Sequence, residues 1–142
     1  MSLPQIVIDT NVLVSGLRSK RGYAFQLLQL VGAGWFEINL SVPLVLEYEE
    51  ILYRELPNLL VSQQAVDSII DYHCAVANHH RIFFLWRPIL RDPDDEMVLE
   101  LAVKAGCDYI VTYNKRDFRG VERFNLRVVE PKEFLQIIGV VV

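Results

Sequence analysis

The chain has 142 residues, about the usual size of one domain, and is 52% apolar, enough to build a core and too much for a disordered chain. No apolar run reaches the ~18 residues of a membrane span, and residues 1–8 lack the basic start and long apolar stretch of a signal peptide, so a cytoplasmic protein without a membrane partner is expected. The formal charge of −4 disfavours a passive nucleic-acid binder, which usually carries a basic field, but admits a nuclease whose clustered acids are offset by metal.

Gln5–Ile8 is a short β-branched run and reads as a buried strand. Residues 11–17 read as a short helical turn, and 22–33 as a helix with Ala24, Leu27, Leu28 and Val31 on one face. Phe36–Leu40 is a strand candidate. Ser41 then reads as an N-cap with Pro43 in the first turn, and this helix runs to Leu56, before Pro57. A further helix over 62–79 is capped by Ser62, and Ile82–Leu85 reads as a strand. Asp92-Pro93 opens a helix that ends near Gly106. Tyr109–Thr112 is an apolar strand ending in polar residues, Leu126–Val129 another strand, and Pro131–Ile138 a last helix.

This alternation predicts a single α/β domain over residues 1–142 with a largely parallel sheet, whose functional edge lies at the carboxyl ends of the strands. Cys74 and Cys107 form no CxxC pair and read as buried thiols. His73, His79 and His80 have no zinc-like spacing with cysteine and read as surface or helix-end residues.

The acids carry more information. Asp9 follows Ile6-Val7-Ile8 directly, at the carboxyl end of a strand; it either serves a ligand or caps the turn that follows. Glu47 shares a helical face with Leu44 and Ile51, where an unpaired carboxylate costs several kcal/mol and needs compensation. Glu50 is explained by Arg54 at i+4, while Glu49 could exchange roles with Glu47 if the helix were rotated. In Asp92-Pro93-Asp94-Asp95-Glu96, Asp92 suits an N-cap and the other acids suit a first turn. Asp95 continues the stripe of Val98 and Ala102, whereas Glu96 lines up with Glu100 and reads as solvated. Thr112-Tyr113-Asn114 ends an apolar strand as Asp9 does, with Asp117 three residues on; Asn and Asp are also ordinary turn formers.

Carboxylates ~5 Å apart repel by roughly 3 kcal/mol per pair at an effective dielectric near 20, so three together need protons or a cation. An all-oxygen set without His or Cys suits Mg²⁺ or Mn²⁺, and such an ion suits phosphodiester hydrolysis.

The run IVIDTNVLVSGL (Ile6–Leu17) resembles the opening of PIN-domain nucleases, EYEEIL (Glu47–Leu52) resembles their helical Glu, and RDPDDEMVLELAVKAGCDYIVTYNKRDF (Arg91–Phe118) resembles their third-acid helix and following strand. The order and spacing cover nearly the whole chain. The match is closest to the VapC-like subgroup, toxins of bacterial and archaeal toxin–antitoxin pairs. The resemblance implies a three-layer α/β/α sandwich, an RNA substrate, a Mg²⁺ or Mn²⁺ cofactor and an antitoxin partner. It implies that Asp9, Glu47 and Asp95 are the metal-binding and catalytic acids. The family's fourth acid falls on Asn114, a departure that Asp117 or Asp92 could offset, with Thr112 and Asn11 as supporting residues.

The alternative is a weak or inactive PIN-like domain that binds protein or RNA, for which the missing fourth acid is the motive. Arg18, Lys20, Arg21, Lys115, Arg116 and Arg119 follow the two motif-bearing strands and would hold RNA phosphates if they rim the site. The apolar tail Ile137–Val142 is a candidate surface for an antitoxin or for a homodimer.

Overall fold

The computed structural model describes residues 2–82, 90 and 92–142. Its strands are β1 (Gln5–Ile8), β2 (Glu37–Leu40), β3 (Asn78–His79), β4 (Tyr109–Val111) and β5 (Arg127–Val129). Its helices are α1 (Thr10–Arg18), α2 (Tyr23–Gln29), α3 (Val42–Arg54), α4 (Gln63–Val76), α5 (Pro93–Lys104) and α6 (Pro131–Ile137). The strands lie in the order β3-β2-β1-β4-β5, and every pairing is parallel.

That order has a functional consequence. The chain starts at the centre, winds outward through β2 and β3, then returns to the other side of β1 with β4. Crossovers are right-handed, so reversing the direction of winding puts α5 on the opposite face from α1–α4. Ile6, Val7 and Ile8 are all buried although successive residues point to opposite faces, which requires both faces of β1 to be covered. The result is the expected α/β/α sandwich. The reversal leaves a crevice where the carboxyl ends of β1 and β4 diverge, the usual ligand position in sheets of this kind.

Local chemistry sets the helix starts. Ser41 accepts from the Leu44 N–H at 3.4 Å and Ser62 from the Ala65 N–H at 3.2 Å, as their N-cap positions predict. The hydroxyl of Tyr48, fully inside the core, donates to the Ile8 carbonyl and ties α3 to the end of β1. At the other end of the core, the Phe134 ring meets Phe36 and Tyr109 edge-on, each at 5.4 Å between centroids.

Several boundaries differ from the sequence reading. The turn expected at 11–17 is a nine-residue helix. The helix expected over 22–33 stops at Gln29, and the chain turns through Gly32 and Gly34, both at positive φ. Helix α4 ends at Val76 rather than residue 79, because Asn78 and His79 pair with Asn39 and Leu40 as an edge strand. The strand expected at Ile82–Leu85 lies outside the described residues, except for Ile82, which is in no strand.

Two burial expectations are overturned. Glu96 and Glu100, read as solvated, are only 8% and 9% exposed, because α5 is covered all round from Glu96 to Ala102. Glu96 accepts from the Leu90 N–H at 2.6 Å. His73, read as a surface or helix-end residue, lies in the last turn of α4 but is buried, and burial pulls its imidazole down to about 4. The apolar tail is largely tucked in: Ile138, Val140 and Val141 pack against the core, leaving Ile137 and Val142 exposed. Among the described residues no helix is long and apolar enough to cross a membrane.

Candidate active site

The crevice at the β1–β4 reversal is an open cleft of about 510 Å³. Asp9, Glu47 and Asp95 all line it, and so do Asp92, Asp117, Asn11 and Asn114. They arrive from four directions. Asp9 follows β1, Glu47 projects from the middle of α3, Asp92 and Asp95 come from the start of α5, and Asn114 and Asp117 come from the turn after β4.

Asp9 is 7% exposed and is both the N-cap of α1 and part of the cleft, so the two readings of this residue coexist. Its Oδ1 accepts from the Thr10 N–H at 2.9 Å, and its Oδ2 accepts from the Thr112 hydroxyl at 2.8 Å and the Asn11 amide at 3.2 Å. Burial pushes the Asp9 carboxyl up; the donors from Thr112, Thr10 and Asn11 pull it back, and the nearby Asp117 charge pushes it up again.

Thr112 lies just past β4, fully buried, and accepts through Oγ1 from Asn11 Nδ2 at 3.1 Å and from the Asn114 N–H at 3.0 Å. Asn11 in turn accepts from the Tyr113 N–H at 3.1 Å. One side chain therefore links the ends of β1 and β4.

Glu47 is half-buried on the α3 face predicted for it, beside Ile51 in the cleft lining. Glu50 points outward and pairs with Arg54 at 3.2 Å. Burial raises the Glu47 carboxyl to about 7, opposed by the Thr10 hydroxyl that donates to it, and helped by Asp94 and Asp9. Asp95 is also raised to about 7, by burial first and then by the charges of Asp9, Asp92, Asp117 and Glu47. Two acids from different elements are thus poised near neutrality, by burial first and by neighbouring acids second. Perturbation of this kind, in a cleft and with named charge partners, marks functional carboxylates more than structural ones.

Three participants escaped the sequence reading. Asp94 lines the cleft and pushes the Glu47 carboxyl up, although the acids of this helix start were accounted for by the dipole alone. The signal available was its distance from Asp95: at the end of a helix that points into a crevice, adjacent residues reach the same space. Thr10, buried at the first position of α1, holds Glu47, and Ser15 lines the cleft one turn further along.

The basic residues divide. Arg18 lines the acidic cleft and lies 3.7 Å from Glu55. Lys115, Arg116 and Arg119 line an adjoining cavity. Lys20 and Arg21 are exposed and line neither.

All candidate metal donors here are oxygens, which fits a hard cation. Among the described residues no three acid, histidine or cysteine side chains are gathered into a ready-made cage.

Residues 5–116 match the family model described as PIN domain. No curated protein sequence matches the chain. Among solved structures, that of VapBC2 from Rickettsia felis bound to a DNA fragment from their promoter is similar in fold, with a TM-score of 0.59 at 12% identity over 87% of this chain and 98% of that chain.

Proposed function

The chain belongs to the PIN-domain family of nucleases, and from that premise we propose that its acidic cleft is the active site of a Mg²⁺- or Mn²⁺-dependent endoribonuclease. The observation that carries this reading is the convergence of Asp9, Glu47 and Asp95 on one cleft, with Glu47 and Asp95 both raised to about 7 by burial and by neighbouring acids. A cluster that costly is stabilised when a cation replaces the protons.

Asp9, Glu47 and Asp95 would hold the ion, which when bound acidifies a water and offsets charge on the phosphoryl group. The remaining work falls to this chain's own side chains. Thr112 and Asn11 keep Asp9 aimed into the cleft, and Thr10 does the same for Glu47. Asn114 offers a carbonyl oxygen where the family has an acid. Asp117 restores negative charge nearby, since it pushes up both Asp9 and Asp95. That compensation favours an active enzyme over an inactive binding module. Arg18 in the cleft wall is suited to a substrate phosphate.

The fold likeness to VapBC2 supports a role as the toxin of a toxin–antitoxin pair, with an antitoxin protein as partner. Incubation with mixed RNA in Mg²⁺, Mn²⁺ or EDTA, followed by mapping of the cut ends, tests the activity. Metal-dependent cuts that vanish in EDTA are expected, and intact RNA with metal-loaded protein would overturn the reading. Growth arrest on expression in a bacterium, relieved by Asp9→Asn, is the outcome expected of a toxin.

A further inference from the structure

The acidic cleft continues past Tyr113, Asn114 and Asp117 into a second cavity of about 740 Å³, because these three residues line both. That size lies within the ~300–1,000 Å³ of small-ligand sites. Its chemistry differs from that of the cleft. Lys115, Arg116 and Arg119 line it, with Glu130 as a further acid. Lys115 is taken by Glu133 at 2.9 Å, but Arg116 and Arg119 are exposed and form no ion pair among the described residues.

Tyr113 stands at the junction of the two cavities and is 38% exposed. Its backbone is anchored by the bond to Asn11, which also bonds Asp9. One side chain thereby ties the Tyr113 main chain to the buried acid. A flat ring lining the acidic cleft, with guanidinium groups in the adjoining cavity, combines the two elements that bind unpaired nucleotides: a stacking surface and phosphate contacts.

We propose that Tyr113, Arg116 and Arg119 form a subsite for the nucleotide adjoining the scissile phosphate, its base stacked on Tyr113 and its phosphates held by the two arginines. The substrate is therefore single-stranded at that position, because a base inside a duplex is already stacked on its neighbours and has no free face for the ring. The choice of RNA as the polymer rests on the ribonuclease reading above.

The test is binding of a short fluorescein-labelled oligoribonucleotide, measured by anisotropy with Ca²⁺ as the ion, alongside cleavage of the same strand in Mn²⁺. The single strand should bind at least about tenfold more tightly than the same strand annealed to its complement. Tyr113→Ala should lose about tenfold in affinity, the size of one base–aromatic stack, while Tyr113→Phe keeps wild-type binding. An abasic nucleotide at one position of the strand should weaken wild-type binding by a similar factor and leave Tyr113→Ala unaffected. Equal binding of duplex and single strand, unaltered binding by Tyr113→Ala, or a Phe variant as weak as the Ala variant would each overturn the subsite. If the binding pattern holds but Mn²⁺ produces no cuts, the ribonuclease reading falls and the subsite stands. Normal cleavage without any Tyr113 effect overturns the subsite and leaves the ribonuclease reading standing.

Discussion

The two ends of the sheet handle carboxylates in opposite ways. At the amino end, Glu37 accepts from the Gln5 amide at 2.6 Å and from Asn78 at 3.4 Å, and Asp108 accepts from the Gln5 N–H at 2.9 Å. Each acid there faces amide donors. At the carboxyl end, Asp9, Glu47 and Asp95 face one another and further acids. Charge alone does not separate the two ends, since both carry acids close to strand termini. What separates them is whether the surrounding groups complete each carboxylate or compete with it. The completed end stabilises the fold, and the competing end stores unfavourable energy that a cation can release.

The sharpest way to break this contrast is to remove one acid from each end. Asp9→Asn should reduce metal-dependent RNA cleavage by about 10³-fold, the scale of a lost charge contact to a catalytic ion. The variant should remain folded by circular dichroism, with relieved repulsion in the cleft set against the clash of the new NH₂ with the donors from Thr10, Thr112 and Asn11. Glu37→Gln should leave cleavage unchanged and cost about 1 kcal/mol of stability, which denaturant titration would measure. Similar cleavage losses in both variants would end the comparison.

Within the cleft end, Glu47 and Glu50 give a narrower test on a single helix. Glu47→Gln should weaken Mn²⁺ binding by at least about tenfold in calorimetry, as removal of a metal-site carboxylate does, while Glu50→Gln leaves it unchanged. A damaging Glu50→Gln or Glu49→Gln would place the functional face of α3 elsewhere.

A pH series probes the cleft end by itself. Glu47 and Asp95 rise from ordinary values of 4.5 and 3.8 to about 7 in the folded protein. Folded protein then holds more protons than unfolded chain across that interval, so metal-free stability should fall as pH climbs from about 4 to about 7 and level off above it. Glu47→Gln should make the slope shallower, and saturating Mn²⁺ should remove most of it. A melting temperature whose fall with pH is as steep in Glu47→Gln as in wild type would separate these acids from the effect. The smallest expected change is a gain. Asn114→Asp should tighten Mn²⁺ binding by about two- to fivefold, because Asp117 already supplies nearby charge and surface electrostatic gains are of order 0.5–1 kcal/mol. Unchanged affinity would put Asn114 outside the ion's reach.

Much of this was legible in the residues themselves. Strand-then-helix alternation pointed to the sheet, Ser41 and Ser62 marked helix starts, and the phase of α3 separated Glu47 from Glu50. The misses have physical causes. Glu96 and Glu100 looked solvated because periodicity sees one packed face, whereas α5 is enclosed on all sides by tertiary contacts. Helix α4 lost its last residues to pairing with β2, a long-range competitor that local propensity does not register. Asp94 was hidden by a sufficient local explanation, the helix dipole, which says nothing about where the side chain points.

Asn11 also fixes the sense of the hydrogen bonds around it. A backbone N–H can only donate. Because Tyr113 donates to the Asn11 carbonyl oxygen, the NH₂ of that side chain must turn toward Thr112 and Asp9. The Thr112 oxygen then receives two donors, from Asn11 and from the Asn114 N–H, so its single hydrogen goes to Asp9 Oδ2. The Thr10 N–H occupies Oδ1 in the same sense. Every arrow ends on Asp9, and the arrows begin at main-chain amides that cannot reverse. Of the acids in the cleft, Asp9 is thus the one the fold itself writes as an acceptor on both oxygens.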